Sequence, residues 1–104
     1  MAKYVLAYKG GGMAATEAEQ QAAMEAWGAW FGSLGSAVVD GGNPFATSKV
    51  VASDGSVSDG DGSGLSGYSI VEADSLDAAA GMAKGCPILS GGGAVEVYET
   101  INVM

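Results

Sequence analysis

The stretch Lys3 to Lys9, KYVLAYK, alternates bulky Tyr4, Leu6 and Tyr8 with smaller Val5 and Ala7. This period-two pattern predicts a strand with one face pressed on a helical layer. After GGG at 10–12, Thr16 followed three residues later by Glu19 forms a capping-box signature. It opens a helix with Ala23, Trp27, Trp30 and Leu34 at helical spacing, and Gly35 stops it. Gly28 and Gly32 inside that helix cost about 1 kcal/mol each relative to Ala, so tertiary packing must hold it.

Ala37 to Asp40 is a short apolar run ended by GGNP, and Thr47 to Ser53 is rich in valine. The pair reads as two strands joined through the GGNPF bend. Ser53 to Gly67, dense in glycine, serine and aspartate, reads as mostly turn. Strand alternation resumes over Gly67 to Ala73, GYSIVEA. Ser75 then caps a second helix whose buried stripe is Leu76, Ala79, Ala80 and Ala83, with Gly85 at its end and Pro87 beyond. Ala94 to Tyr98 closes the chain's pattern as a strand. The order predicts an α+β fold over residues 1–104 as a single domain: a ferredoxin-like antiparallel sheet with two helices on one face. A sheet covered on one side leaves its other face to hide, and a two-fold homodimer packing sheet on sheet hides it.

Charge narrows the partners. Four Lys and no Arg stand against twelve Asp and Glu, a net charge of −8, which repels nucleic-acid phosphates and anionic membranes. The apolar runs are shorter than the ~20 residues of a membrane span, and the N-terminus has no secretory pattern, so cytoplasmic residence is expected. Cys86 is the lone cysteine, which rules out an internal disulfide and a multi-cysteine zinc site.

Chemistry is sparse. DGDGSG at 59–64 begins like a calcium loop with Asp59, Asp61 and Ser63, yet position 12 of that frame is Ile70 rather than a bidentate Glu, and a strand follows. It is read as a turn, and no metal or other cofactor is expected. Neither GGG, at 10–12 or 91–93, has the frame of a phosphate-binding loop. The chain has no histidine, which removes the commonest general base and every Ser-His-Asp arrangement. Cys86 follows a helix end, not the helix N-terminus that would lower its pKa and activate it. Asp40, Glu72 and Glu96 are the strand-associated carboxylates available for acid or base work. Trp27, Trp30 and Phe31 offer the flat apolar walls that small-molecule cavities use.

These segments resemble the YCII-related family, including its DGPF branch. KYVLAYK resembles the family's first strand, the Trp-rich helix ending in LGSAVVDGG its first helix and second strand, and DGDGSG stands where the DGPF signature falls. GYSIVEADSLDAAAGMAKGCP followed by VEVYETI is similar to its later strand, its Asp-Ser-Leu-Asp-x-Ala helix start, its Cys-Pro helix exit and its final strand. The resemblance covers nearly the whole chain. It implies a ferredoxin-like, dimeric protein, with the dimeric α+β barrel as its architecture.

The departures are informative. The His and Asp suspected of forming a catalytic pair in YCII-type members fall here near Met24 and Ser33, so the pair is missing. Asp59 and Gly60 keep the start of the signature, while Asp61 and Gly62 replace its Pro and Phe. The expectation is therefore a small-molecule-binding or interaction module without assigned catalytic residues. Its pocket lies between the sheet and the first helix, with Trp27, Trp30 and Tyr68 as walls and Asp40 and Asp59 as polar contacts. The alternative is a cofactor-independent enzyme of hydrolase, isomerase or oxygenase type using a pocket carboxylate such as Asp40. A third reading is a partner-binding protein that is itself encoded beside a regulator, as the resemblance implies for some relatives.

Overall fold

The computed structural model describes residues 2–10, 16–60 and 64–103. Their elements are β1 (Ala2–Lys9), α1 (Glu17–Leu34), β2 (Val38–Asp40), β3 (Lys49–Val51), β4 (Val57–Asp59), β5 (Leu65–Ala73), α2 (Leu76–Ala83) and β6 (Ala94–Glu99), with single 3-10 turns at Gly35–Ala37 and Pro87–Gly91. The fold is α+β. Four strands form one antiparallel sheet in the order β2, β5, β1, β6, and β3 pairs with β4 in a separate hairpin. With that hairpin set aside, the order is compatible with a ferredoxin-like frame.

Alternation decides which face of the sheet is covered. Tyr4, Leu6 and Tyr8 of β1 lie opposite Val71, Ser69 and Gly67 of β5, and all six are buried. Trp30 of α1 and Ala79 and Ala83 of α2 complete the core with Ala73 and Cys86, so both helices pack on this one face. Val5, Lys9, Ile70, Glu72 and Tyr98 fall on the opposite phase and have no layer above them among the described residues, while Tyr68, on the same phase, is stacked by Phe45.

Both helices start where a side-chain oxygen meets an orphan amide. Thr16 Oγ1 accepts from the Glu19 N–H at 3.1 Å, and Ser75 Oγ accepts from Ala78 N–H at 3.0 Å. α1 is anchored chiefly by its second half, where Trp27, Trp30, Phe31 and Leu34 reach the core, while Glu17 to Ala26 are exposed.

One expectation fails in the middle of the chain. Among the described residues of the segment from Ser53 to Gly67, Val57 to Asp59 and Leu65 to Gly67 are strand rather than turn, and the strand over residues 47–53 does not pair with β2. Instead β3 turns on itself and pairs with β4, which lies inside the segment read as turn. The turn is held by Ala52 N–H to Ser56 O and Gly55 N–H to Ala52 O, with Asp54 Oδ1 accepting from Ser56 N–H at 2.8 Å and Gly55 at φ +88°. Asp54-Gly55 between VVAS and SVSD is a hairpin signal, masked in the sequence by the surrounding Gly and Ser.

Candidate functional site

The site begins where β1 ends. Tyr8 is its last inward side chain, and Gly67 is its partner across the ladder. The loop after β2 folds down onto this corner: Pro44 bridges to Gly67, and Phe45 N–H donates to Ser66 O at 2.8 Å. The approach is too close for side chains. A Cβ on Gly67 would stand 3.1 Å from Asn43 O, and one on Gly42, at φ +74°, would stand 1.7 Å from Tyr68 O. Asp40 fixes the loop's start, its Oδ1 accepting from Gly42 N–H at 2.8 Å in an Asx turn.

Above this floor stands α1, presenting Trp27 and Phe31 with Ala23 and Met24. Ile88, from the turn after α2, closes one side. Between helix, loop and strand lies a cleft of about 580 Å³, within the range of small-molecule sites. Its lining includes the aromatic residues Tyr8, Trp27, Phe31 and Tyr68. Trp27 meets Tyr8 edge to face at 5.0 Å and Phe31 at 5.9 Å, and Tyr68, also at the cleft, stacks on Phe45 at 5.9 Å.

A buried relay holds Tyr8 in place. Its hydroxyl donates to Ser69 Oγ at 2.6 Å, and Ser69 donates to Gly41 O at 2.6 Å, tying β1, β5 and the loop together. Burial pushes the Tyr8 phenol up to about 12, against the partial opposition of the Ser69 bond. A phenol so placed keeps its proton at neutral pH and positions the wall rather than transferring protons.

The cleft brings together three of the residues expected from the sequence, Trp27, Phe31 and Tyr68. Trp30 points into the core: its indole N–H donates to Met82 O at 3.0 Å, and its ring packs on Gly85. Asp40 stands at the base of the loop, acting through Gly42. Asp59 is on the hairpin, exposed and paired with Lys49 at 2.6 Å, away from the cleft. Asp61, Gly62 and Ser63 of the calcium-like frame, and Gly11 and Gly12 of the first GGG, lie outside the described residues.

The other strand carboxylates are elsewhere. Glu96 accepts from Lys9 and Tyr98, which holds its carboxyl below the ordinary value, and Glu72 lies on the open face. Cys86 is buried, and burial raises its thiol. Tyr8 and the Gly41 to Pro44 floor were not singled out from the sequence. Tyr8 reads there as an ordinary strand position, although GGNP, two glycines before a proline, is the trace of a backbone pressed against another.

A second depression, about 430 Å³, lies between the start of β1 and the segment Thr100 to Asn102 and has no aromatic wall. Among the described residues no group of three or more His, Cys, Asp or Glu is arranged to hold a metal, and no helix is long and apolar enough to cross a membrane. Comparisons of the chain with family models, with curated proteins and with solved structures found no match.

Proposed function

We propose that this protein is a homodimeric, ferredoxin-like module related to the YCII group that binds a small molecule in the cleft beneath α1. The observation that carries the binding reading is the cleft itself: three rings, Tyr8, Trp27 and Phe31, on a floor of close-packed backbone that the Tyr8 to Ser69 to Gly41 relay fixes in advance. Preorganised apolar walls with few polar groups favour binding over acid or base catalysis. No carboxylate is among the described residues lining the cleft, and Asp40 is engaged with Gly42 N–H, so the enzyme alternative has no observation in its favour.

The dimer reading is supported by the uncovered sheet face, which carries Val5, Ile70 and Tyr98. The relation to YCII proteins is supported by the order of elements together with the sequence resemblance.

The binding reading is tested with N-phenyl-1-naphthylamine, a neutral probe that fluoresces in apolar surroundings. Saturable binding with one site per chain is expected, weakened about tenfold or more by Trp27→Ala, as befits the loss of a large aromatic wall. Unsaturable binding, or binding unchanged by Trp27→Ala, refutes it.

A further inference from the structure

Given the small-molecule reading on which it rests, the chemistry of the cleft wall narrows the ligand. We infer that the cleft selects an organic cation, an amine or quaternary ammonium with a compact apolar body, over neutral and anionic molecules of the same shape.

The first reason is the rings. Trp27 neighbours both Tyr8 and Phe31 at the cleft, and aromatic faces carry the negative side of a quadrupole that attracts a cation and repels an anion. The second is where the protein's own cations are. Lys9 is paired with Glu96 on the open sheet face, Lys49 is paired with Asp59 on the hairpin, and neither Lys3 nor Lys84 lines the cleft. With no arginine in the chain, an anionic ligand finds no counter-charge.

The third reason is that several of the wall's donors are already committed. Tyr8 O–H goes to Ser69, Gly42 N–H to Asp40, and Ser66 O–H to Tyr8 O. Asn43, whose amide donates and accepts alike, does not discriminate. Asp40, one residue before the lining Gly41, carries a negative charge at the start of the loop, and the net charge of −8 draws cations from solution. The rings make a wall that suits a positive group, with the Asp40 carboxylate behind the loop rather than in the lining, while Met24 and Ile88 accept its apolar body.

The test compares three molecules of nearly one shape: choline, its neutral carbon isostere 3,3-dimethylbutan-1-ol, and the anion 3,3-dimethylbutanoate. Each displaces N-phenyl-1-naphthylamine from the wild-type protein. Choline is expected to act about tenfold more tightly than the alcohol, the scale of a desolvated cation–π contact, with the anion weakest. Trp27→Leu keeps apolar bulk and removes the ring face. It should weaken choline about fivefold and the alcohol less than about twofold, whereas a merely structural defect weakens both. Asp40→Asn preserves the Asx turn and removes the charge; choline should weaken by about threefold at low salt and the alcohol not at all.

Equal displacement by choline and the alcohol, strongest displacement by the anion, or no displacement by choline at 50 mM (about 2 kcal/mol of standard binding free energy) while the probe itself binds would overturn the inference and leave the cleft reading standing. Failure of the probe to bind removes both.

Discussion

Tyr8 joins packing, hydrogen bonding and the cleft wall through one side chain. Because its phenol is raised to about 12 in the folded protein from an ordinary 10, the folded state holds that proton more tightly than the unfolded chain. Its stabilising contribution is thus complete below pH 10 and lost as pH rises through 12, on the order of 2–3 kcal/mol in all. Tyr4, raised chiefly by burial, acts in the same direction. Urea unfolding at pH 9 and pH 11.5 should show a fall in midpoint that Tyr8→Phe reduces; an equal fall in Tyr8→Phe would mean that other groups account for it. Ser69→Ala strips the relay's middle member and leaves the buried Tyr8 hydroxyl without its acceptor, an expected loss of about 1–3 kcal/mol at pH 7. Gly42→Ala combines a left-handed backbone with a Cβ driven into Tyr68 O and should cost at least that much, moving the loop and with it the cleft. The alternation of Tyr4, Leu6 and Tyr8 made the inward face of β1 readable from sequence. The bond from Tyr8 to Ser69 was not readable, because it spans 61 positions and depends on the ladder register that the fold alone sets.

At the scale of elements, α1 shows how a local signal and a tertiary one divide the work. Thr16 and the spacing of Trp27, Trp30 and Leu34 located the helix, but its first two and a half turns are exposed and receive little from the core. Their order rests on the cap and on helix propensity. Thr16→Ala should therefore cost about 1 kcal/mol, and amide exchange should quicken over residues 19–26 while residues 30–34 stay protected; uniform loss of protection along α1 would show instead that the cap and the core form one cooperative unit. Trp30, grouped with Trp27 as a cleft wall by helical spacing, turns into the core because its indole N–H finds Met82 O and its ring finds the bare backbone of Gly85. Spacing gives a face of the helix but not which neighbour fills it. The β3–β4 hairpin was lost for a different reason: Val57 to Asp59 is too short and too exposed to alternate, and only Asp54-Gly55 announces it.

For the molecule as a whole, surface area bears on assembly. The chain exposes 6983 Å² at 10.2 kDa, roughly a third above the ~5,300 Å² of a compact monomer of that mass. Its radius of gyration is 15.2 Å where ~13 Å is usual for this length. The thinnest dimension, 18 Å, is that of one sheet with one helical layer. The excess area is larger than the ~800 Å² per partner that a standard interface removes. Val5, Ile70 and Tyr98 sit side by side on the open face by ladder register, flanked by the Lys9–Glu96 pair. Two copies related by a two-fold axis would bury that apolar strip against itself, with the ion pairs at its margin setting the register of one copy on the other. Sedimentation equilibrium should then give twice the chain mass, and Ile70→Lys, whose side chain faces away from the core, should give single chains that still unfold cooperatively. Wild-type protein that stays at the chain mass at 0.1 mM (about 5 kcal/mol of standard association free energy) would leave the face without a self-partner. Cleft binding retained in the Ile70→Lys monomer would further show that the pocket beneath α1 is complete within one chain, as its lining by β1, α1, β5 and the loop requires.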